Sequence, residues 1–344
     1  MSNRKIALIF IGTAKYADFF PLWHGCVSTY LMPEEDKIAV AFTDRYEEEM
    51  FHKPGVFQVP LEHKQWPYIT LLRFAFINEI LPQLKDKDVT HLLFLDADLF
   101  PQQKISFEDI FGDETKPFVG VHHPGNFDNP DWEAFIVEGD SNANILKMTS
   151  ETKETLKGKV YHQGCLWGGE FSAVQEMCAE LTRAIHEDLQ NNIVADWHDE
   201  SHMNRWFIQN YDRVRTIGTE YAFPDQLFWH KTLSQRGLSP KMLHVDKKHS
   251  DFPRFMGGSP ELDENVAAHV EKAFAEKGIS LPLTCDYCGK VDNRKPTQQS
   301  LAEWFLSGDG CTPEEKNEIQ TTGKWKLACE ACHKKYYKKI VTTW

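Results

Sequence analysis

The 344-residue chain lacks any apolar run long enough to cross a bilayer, and it lacks an excess of basic residues. A membrane-spanning helix needs about 20 predominantly apolar residues in succession. Lys and Arg together number 38 against 51 Asp and Glu, which gives a formal net charge of −13. Proteins that bind nucleic acid normally present a basic face. The sequence therefore predicts no membrane span and argues against nucleic acid as a partner.

The first residues also lack the pattern of a secretory signal, because they lead directly into the strand-like run Ile6–Ile11. This predicts a cytoplasmic location. The cysteines agree with a reducing compartment, since four of the eight form two C-x-x-C pairs, a spacing more typical of metal sites than of disulfides there. An acidic protein that binds a phosphorylated substrate needs a metal ion or a few well-placed cations, because its own charge repels that substrate.

Strand-like runs alternate with segments of helical period, which predicts an α/β domain with a largely parallel sheet. The stretch from His123 to Gly158 is rich in Gly, Asn, Asp and Ser and predicts loops, with a lid as one use for them. The predicted strands are Ile6–Ile11, Ile38–Phe42, His91–Leu95 and Pro117–His122. The predicted helices are Tyr16–Tyr30, Ile69–Leu84, a segment that follows a Gly168-Gly169 turn and runs to Gln190, and one that begins near Trp197.

The residue pattern of the sequence changes after Gly257-Gly258. We predict three parts: a catalytic domain over 1–258, a linker helix over 259–282 and a small module over 283–344. The module carries the two C-x-x-C pairs, whose four thiolates fit a tetrahedral structural zinc site; redox thiols or free cysteines are the alternative. The predicted zinc ligands are Cys285, Cys288, Cys329 and Cys332. The module either braces the catalytic domain or docks a protein partner, and the sequence does not separate the two.

The run Trp197–Asn204 is the densest cluster of chemically active side chains, with two carboxylates, two imidazoles, an indole and an amide. Such groups are costly to bury unless each is partnered, so the run predicts a site. His198 and His202 share a helix face, as in two-histidine zinc hydrolases, but Asp199 stands where those enzymes place glutamate. The other interpretation is that Glu200 faces a substrate and acts as a nucleophile or stabilises a cation in glycosyl transfer.

Asp96-Ala97-Asp98 directly follows the buried strand His91–Leu95. Residues two apart on an extended chain point the same way, and the carboxyl end of a strand is where open α/β sheets bind ligands. Two carboxylates there fit a divalent cation that grips a diphosphate, whereas the plain alternative is an aspartate capping the next turn.

Two further segments are weaker signals. Tyr161–Gly169 places small residues among aromatic ones, which suits close approach of a ligand but also an ordinary turn before a helix. Lys247 and Arg254 belong to a small basic cluster that fits phosphate groups or a solvated loop equally well.

Together these residues resemble glycosyltransferase family six, which contains the histo-blood-group ABO transferases and α-1,3-galactosyltransferases. The similarity covers residues 5–256, and the run Trp197–Asn204 is nearly identical to the most characteristic motif of the family, with Met203 where leucine is usual. The other motifs occur in the family's order: Asp96-Ala97-Asp98, His123-Pro124-Gly125, Tyr161–Gly169, Glu220-Tyr221 with Asp225-Gln226, and Lys247–Arg254.

The resemblance implies a GT-A glycosyltransferase fold, a Rossmann-like mixed sheet flanked by helices, here with an added zinc-ribbon-like C-terminal module that is foreign to the family. It implies retaining transfer of galactose or N-acetylgalactosamine from a UDP-sugar to an acceptor galactoside in α-1,3 linkage. Bacterial relatives typically carry N-x-N and work without metal, yet this chain keeps Asp96 and Asp98, which predicts dependence on Mn²⁺. The transmembrane anchor of the animal members is not seen in this sequence.

Carried over by position, the resemblance assigns one catalytic residue, Glu200. The donor is contacted by Tyr16 at the uracil, by Arg73 and Asp199, by Asp96 and Asp98 through Mn²⁺, and by Lys247 and Arg254 at the phosphates. The sugars are contacted by His123, Trp197 and Asp225, while Gln163 and Cys165 occupy the positions that sort galactose from its N-acetyl form. A transferase-like glycan-binding protein that uses its zinc tail to dock a partner is the alternative outside enzymes.

Overall fold

The computed structural model describes residues 4–112, 115–126, 139–148, 156–225, 233–234 and 237–245, and the backbone of four short strands nearer the C-terminus. The chain divides into two compact units. One comprises Met1–Asp225 and Gly237–Met256, and the other comprises Gln226–Arg236 and Gly257–Trp344. The domain boundaries at 258 and 282 stay a prediction.

The described residues of the first unit form ten strands: β1 (Lys5–Ile11), β2 (Asp36–Thr43), β3 (Val56–Pro60), β4 (His91–Leu95), β5 (Leu99–Pro101), β6 (Phe118–His122), β7 (His162–Glu170), β8 (Val214–Ile217), β9 (Phe223–Pro224) and β10 (Met242–His244). Seven of them form one mixed sheet in the order β3-β2-β1-β4-β7-β6-β8. All pair in parallel except β7, which runs antiparallel to both of its neighbours. The short strands form a second sheet in the order β5-β10-β9.

Helices cover both faces of the large sheet, which makes the unit α/β as the strand and helix periods predict. Alternate residues of β1 enter different apolar cores: Ile6, Leu8 and Phe10 belong to one cluster, Ala7 and Ile9 to the other. The helices are α1 (Phe20–Tyr30), α2 (Tyr68–Leu71), α3 (Arg73–Lys85), α4 (Phe107–Phe111), α5 (Ile145–Met148), α6 (Phe171–Gln190) and α7 (His198–Gln209).

Two predicted helices differ in detail from the observed ones. The segment Tyr16–Tyr30 is not one helix, because a 3-10 turn over Ala14–Phe19 precedes α1. Similarly, the predicted helix Ile69–Leu84 is divided at Leu72 into α2 and α3.

The larger difference is β7, where sequence reasoning expected a Gly-Gly turn. Gly168 and Gly169 lie inside the strand, and a Cβ at either position would collide with a backbone carbonyl of the neighbouring strand segment, that of Leu92 or of Pro117. Glycine here permits close strand packing at the sheet centre instead of forming a turn.

Between His123 and Gly158 the described residues form a 3-10 turn at Pro124–Asn126 and the short helix α5, while the remainder of the predicted loop region lies outside them. No helix in the described part of the chain is both long enough and apolar enough to cross a membrane.

In the second unit, two pairs of short strands are described. β11 (Leu283–Thr284) pairs antiparallel with β12 (Val291–Asp292), and β13 (Trp304–Leu306) pairs antiparallel with β14 (Leu327–Cys329). Cys285, Cys288 and Cys332 lie outside the described residues, and only the backbone of Cys329 is described. The zinc site stays a prediction.

Candidate active site

The reversed direction of β7 determines which residues meet at the site. Because β7 is antiparallel to β4 and β6, its first residues lie at the edge where those two strands end. The backbone N–H of Asp96 donates to the Cys165 carbonyl at 2.9 Å, which continues the ladder past β4. Asp96-Ala97-Asp98 and Gln163-Gly164-Cys165 are therefore neighbours.

Asp96 and Asp98 lie in the turn between β4 and β5, as the motif predicts. The Leu99 N–H donates to the Asp96 carbonyl at 3.1 Å and closes this turn. The Asp98 side chain is almost fully buried, at 2% exposure, whereas Asp96 is 17% exposed. One carboxylate is thus enclosed and the other remains partly open.

A third ligand-type side chain, His244 at the end of β10, joins the two aspartates. Its Nε2 lies 3.4 Å from Asp98 Oδ1 and 4.0 Å from Asp96 Oδ2. One ligand atom from each of the three residues can be chosen so that all lie within 4.8 Å of one another, and the described residues contain no other such group of His, Cys, Asp or Glu. His198 and His202 are absent from it, which removes support for the two-histidine zinc interpretation.

Sequence reasoning missed His244, because a three-residue strand carries no periodic signal of its own. Tertiary pairing brings it to the site: His244 pairs with Leu99 across β5 and β10, and the Val245 N–H donates to the Asp98 carbonyl at 2.9 Å. Burial lowers the pKa of His244, but Asp98 outweighs it and raises that pKa well above the ordinary value. Asp98, and after it Cys165, thus favour a positive charge on His244. Two oxygen donors with one nitrogen donor suit a divalent transition-metal ion.

Arg73, the first residue of α3, connects this cluster to α7. Its Nη1 lies 3.4 Å from Asp96 Oδ1, and its Nε lies 3.1 Å from Asp199 Oδ2. Nη1 also donates to the Gly164 carbonyl at 2.9 Å, and the guanidinium lies 4.5 Å above the Phe94 ring centroid. The side chain is 7% exposed, so these partners hold a buried cation at one position.

Glu200 lies in the first turn of α7, with Gly164 beside it. The Gly164 N–H donates to Glu200 Oε2 at 2.7 Å. Burial raises the pKa of Glu200 to about 7 and Asp199 adds to the rise, while the Gly164 and Tyr161 hydrogen bonds and Arg73 oppose it. The carboxylate therefore titrates near neutral pH, in the range that enzymes use for functional carboxylates.

Asn204 and His202, in the same run, hold α7 in place. Asn204 Oδ1 accepts from the His162 N–H and its Nδ2 donates to the His162 carbonyl, both at 2.8 Å, which fastens α7 to β7. His202 is buried with Nε2 3.5 Å from Asp188 Oδ2, and burial lowers its pKa to about 3. His202 is thus a neutral support.

Two aromatic side chains remain exposed near the start of α7. Trp197, which precedes the helix, is 36% exposed, and its backbone N–H donates to Ser201 Oγ at 3.0 Å. The His198 ring lies 4.7 Å from the ring of Trp66, which is 72% exposed. Exposed indoles beside a polar site suit contact with sugar rings.

Gln163 and Cys165 lie next to His244. The Gln163 amide nitrogen is 3.5 Å from His244 Nδ1, and the Cys165 thiol donates to Gln163 Oε1 at 3.3 Å. Asp225 is fixed by the same strand, since its N–H donates to the His244 carbonyl at 3.0 Å.

His123 is neutral, because burial first, and then His122 and His244, lower its pKa to about 4. Its Nδ1 accepts from the Gly125 N–H at 3.0 Å, which leaves Nε2 as the donor nitrogen. Tyr16 stacks on Phe19 with 5.8 Å between ring centroids, and Phe19 stacks on Phe100 of β5 at 6.2 Å. Lys247 and Arg254 lie outside the described residues.

Comparisons with known proteins identify a family and several relatives of this chain. Glycosyltransferase family 6 matches residues 11–250 of the chain. The O-antigen biosynthesis glycosyltransferase WbnI of Escherichia coli is 27% identical over 224 residues, which is 64% of this chain and 88% of that protein. Histo-blood group ABO system transferase 2 of Rattus norvegicus is 25% identical over 240 residues, 66% of either chain.

The mouse globoside alpha-1,3-N-acetylgalactosaminyltransferase 1 is 28% identical over 170 residues, which is 49% of this chain and 45% of that protein. The chain thus spans between about half and two thirds of these two animal relatives. The family match extends over well more than half of the chain and includes both Asp96-Ala97-Asp98 and the run Trp197–Asn204. The chain belongs to glycosyltransferase family 6 and is a hexosyltransferase.

Proposed function

We propose that the protein transfers galactose or N-acetylgalactosamine from a UDP-sugar to an acceptor galactoside in α-1,3 linkage, with retention of configuration and with dependence on Mn²⁺. The observation that carries the proposal is the position of Arg73 between Asp96 and Asp199. Arg73 also donates to the carbonyl of Gly164, whose backbone N–H donates to Glu200. One buried guanidinium thereby links a cation-binding cluster to a carboxylate that titrates near pH 7.

The names of the relatives support the choice of sugar and linkage. One is an alpha-1,3-N-acetylgalactosaminyltransferase and another is an ABO system transferase. The third acts in O-antigen biosynthesis, so it builds a glycan. A sugar donor and a glycan acceptor are the substrates common to such enzymes.

Asp96 and Asp98 would hold the divalent ion, which would supply positive charge that stabilises a diphosphate leaving group. Arg73 pairs with both Asp96 and Asp199. It therefore keeps Asp96, a proposed metal ligand, at a constant distance from Asp199, the carboxylate proposed to hold the donor. Glu200 in its ionised form offers a negative charge to the oxocarbenium-like sugar, either as nucleophile or as electrostatic stabiliser. Both routes need the Glu200 anion and a donor bound in one orientation.

Other side chains have positioning roles in this proposal. Tyr16 lies against the uracil, Asp199 holds the donor, and Lys247 and Arg254 close over the phosphates. His123 donates from Nε2 to a sugar hydroxyl, Trp197 and Asp225 contact the sugars, and Gln163 and Cys165 bound the pocket for the sugar 2-substituent.

A mass-detected screen tests the proposal. UDP-galactose, UDP-N-acetylgalactosamine, UDP-glucose and UDP-N-acetylglucosamine are each incubated with simple galactosides, with Mn²⁺ or with chelator. We expect a mass increase of one hexose or N-acetylhexosamine from a galacto-configured donor, and an α-1,3 product by NMR. Turnover with only the gluco donors, or undiminished turnover in chelator, would contradict the corresponding part of the proposal.

We further propose that the C-terminal unit binds structural Zn²⁺ through Cys285, Cys288, Cys329 and Cys332. Two observations support this: β11 ends directly before Cys285, and β14 includes Cys329. Metal analysis of the purified protein should find one zinc per chain, and Cys329→Ser should lose it. Zinc content unchanged in that variant would exclude the assignment. Docking of a protein partner by this module and the cytoplasmic location stay predictions.

A further inference from the structure

We propose that His244 is a third protein ligand of the divalent ion, and that it lets the free enzyme hold a transition-metal ion before any nucleotide binds. The inference rests on the proposed function for the identity of the site, but its test does not need turnover.

The spacing of the three side chains fits a single ion. Ligand atoms at about 2.1 Å from an octahedral ion lie roughly 3.0 Å apart when adjacent and about 4.2 Å apart when opposite. His244 Nε2 is 3.4 Å from Asp98 Oδ1 and 4.0 Å from Asp96 Oδ2. Small side-chain rotations are enough to close these distances on one ion.

The backbone holds His244 in this place independently of any ligand. Met242–His244 pairs with β5 on one side and with β9 on the other. The Asp225 N–H donates to the His244 carbonyl at 3.0 Å. A ligand on a paired strand loses little conformational entropy when the ion binds, which favours a site that exists before the donor arrives.

The two oxygens of the Asp96 carboxylate face different partners. Asp96 Oδ1 faces Arg73 Nη1 at 3.4 Å, whereas Oδ2 faces His244. Arg73 thus occupies one side of Asp96, and the imidazole occupies the side toward Asp98. An ion between Asp96 and Asp98 meets the His244 ring, not the guanidinium.

The second ring nitrogen of His244, Nδ1, lies beside the side-chain amide of Gln163. Gln163 places its amide 3.5 Å from His244 Nδ1. A histidine that ligates a metal through Nε2 carries a proton on Nδ1 and donates it to an acceptor, which fixes the orientation of the ring. The Gln163 amide, turned to present Oε1 to Nδ1, would be that acceptor. Gln163, assigned by the resemblance to donor choice, is in this arrangement a positioning residue for His244.

A nitrogen ligand changes which ion the site prefers. Mg²⁺ selects oxygen ligands and dehydrates reluctantly, whereas imidazole is a better ligand for transition-metal ions. The site should therefore discriminate for Mn²⁺ over Mg²⁺ through His244.

Titration of the full-length protein with Mn²⁺ alone, without nucleotide, tests this inference. The electron paramagnetic resonance signal of free Mn²⁺ measures binding, and Mn²⁺ avoids the C-terminal thiolates, which prefer softer ions. The variants are His244→Ala and His244→Asp, with His186→Ala on the exposed face of α6 as the matched control. Circular dichroism and thermal melting confirm that each variant is folded.

We expect wild type and His186→Ala to bind one Mn²⁺ per chain, and His244→Ala to bind it at least about tenfold more weakly. His244→Asp, which restores an oxygen ligand, should recover binding but with a smaller preference for Mn²⁺ over Mg²⁺. Equal Mn²⁺ affinity in wild type and His244→Ala overturns the inference, as does a wild type that binds no Mn²⁺ without nucleotide. If His244→Ala binds Mn²⁺ weakly and the wild type turns over no UDP-sugar, the inference is supported and only the proposed function is contradicted.

Discussion

Arg73 and Asp199 form a buried ion pair, with Nε 3.1 Å from Oδ2 and both side chains less than one tenth exposed. The two residues come from α3 and α7, and Asp199 immediately precedes Glu200. The pair therefore couples the position of the proposed catalytic carboxylate to that of Asp96, the other partner of Arg73.

Replacing Glu200 by Gln should lower kcat for sugar transfer by about 100-fold or more, because the variant has no negative charge to offer the developing cation. Steady-state kinetics with the preferred donor measure this, and KM for the donor should change little. Glu187→Gln on the exposed face of α6 is the matched control. Near-normal transfer by Glu200→Gln would show that another group carries the reaction.

Transfer activity should decline as the pH falls below about 7. Burial raises the pKa of Glu200 to about 7, so acid protonates the carboxylate that must be ionised. The profile of kcat/KM against pH, taken with saturating metal, should have an acid limb with a slope of one near that pH. An acid limb that stays near the ordinary glutamate value of about 4.3 would contradict the assignment.

Glu200 should also make the stability of the protein depend on pH. Its folded pKa lies above its unfolded pKa, so the folded state binds the proton more tightly and loses stability as the pH rises from about 4.5 to about 7. Glu200→Gln removes this loss and keeps an acceptor for the Gly164 N–H. Its melting temperature should exceed that of wild type at pH 8 and approach it at pH 5; a constant difference across this range would argue against the raised pKa.

Arg73→Met should lower the free energy of unfolding by about 3–5 kcal/mol, because it leaves Asp199 buried without its cation. Arg73→Lys keeps the charge but cannot reach Asp96, Asp199 and the Gly164 carbonyl together, so it should fold better and still transfer sugar poorly. Urea unfolding and kinetics separate the two effects. Arg183→Met, at a side chain 61% exposed, is the control and should alter neither quantity.

Asp98→Asn should abolish the stimulation of transfer by Mn²⁺, since the buried carboxylate is a proposed ligand of the ion. Activity measured against Mn²⁺ concentration, after removal of metal by a chelator, tests this. Glu176→Gln serves as the control, because Glu176 is exposed and pairs with Arg213. A variant Asp98→Asn that responds to Mn²⁺ like wild type would place the metal elsewhere.

Local patterns in the sequence predicted the parts of the molecule that depend on local physics. The apolar run His91–Leu95 followed by two aspartates identified β4 and the turn after it, and the polar run beginning at Trp197 identified α7. These elements are encoded by neighbours along the chain. Membership of family six, predicted from the motifs, is confirmed by the family match.

Long-range packing determined the parts that sequence reasoning missed. Gly168 and Gly169 suggest a turn until the carbonyls of Leu92 and Pro117 fill the space where Cβ atoms would lie. His244 has no local signal, because its strand is three residues long and exists only by pairing with β5 and β9. Neither contact could be inferred from spacing along one chain.

The pairing of β10 with β5 has a consequence for folding as well as for chemistry. The two aspartates come from the first half of the catalytic unit and His244 from near its end, so these ligands meet only when β10 has paired with β5. An ion bound there would act as a non-covalent cross-link between distant segments, and it would stabilise the native state by an amount that grows with the logarithm of the free-ion concentration above its dissociation constant. The supply of metal would then set the free energy of unfolding of the enzyme in addition to its turnover.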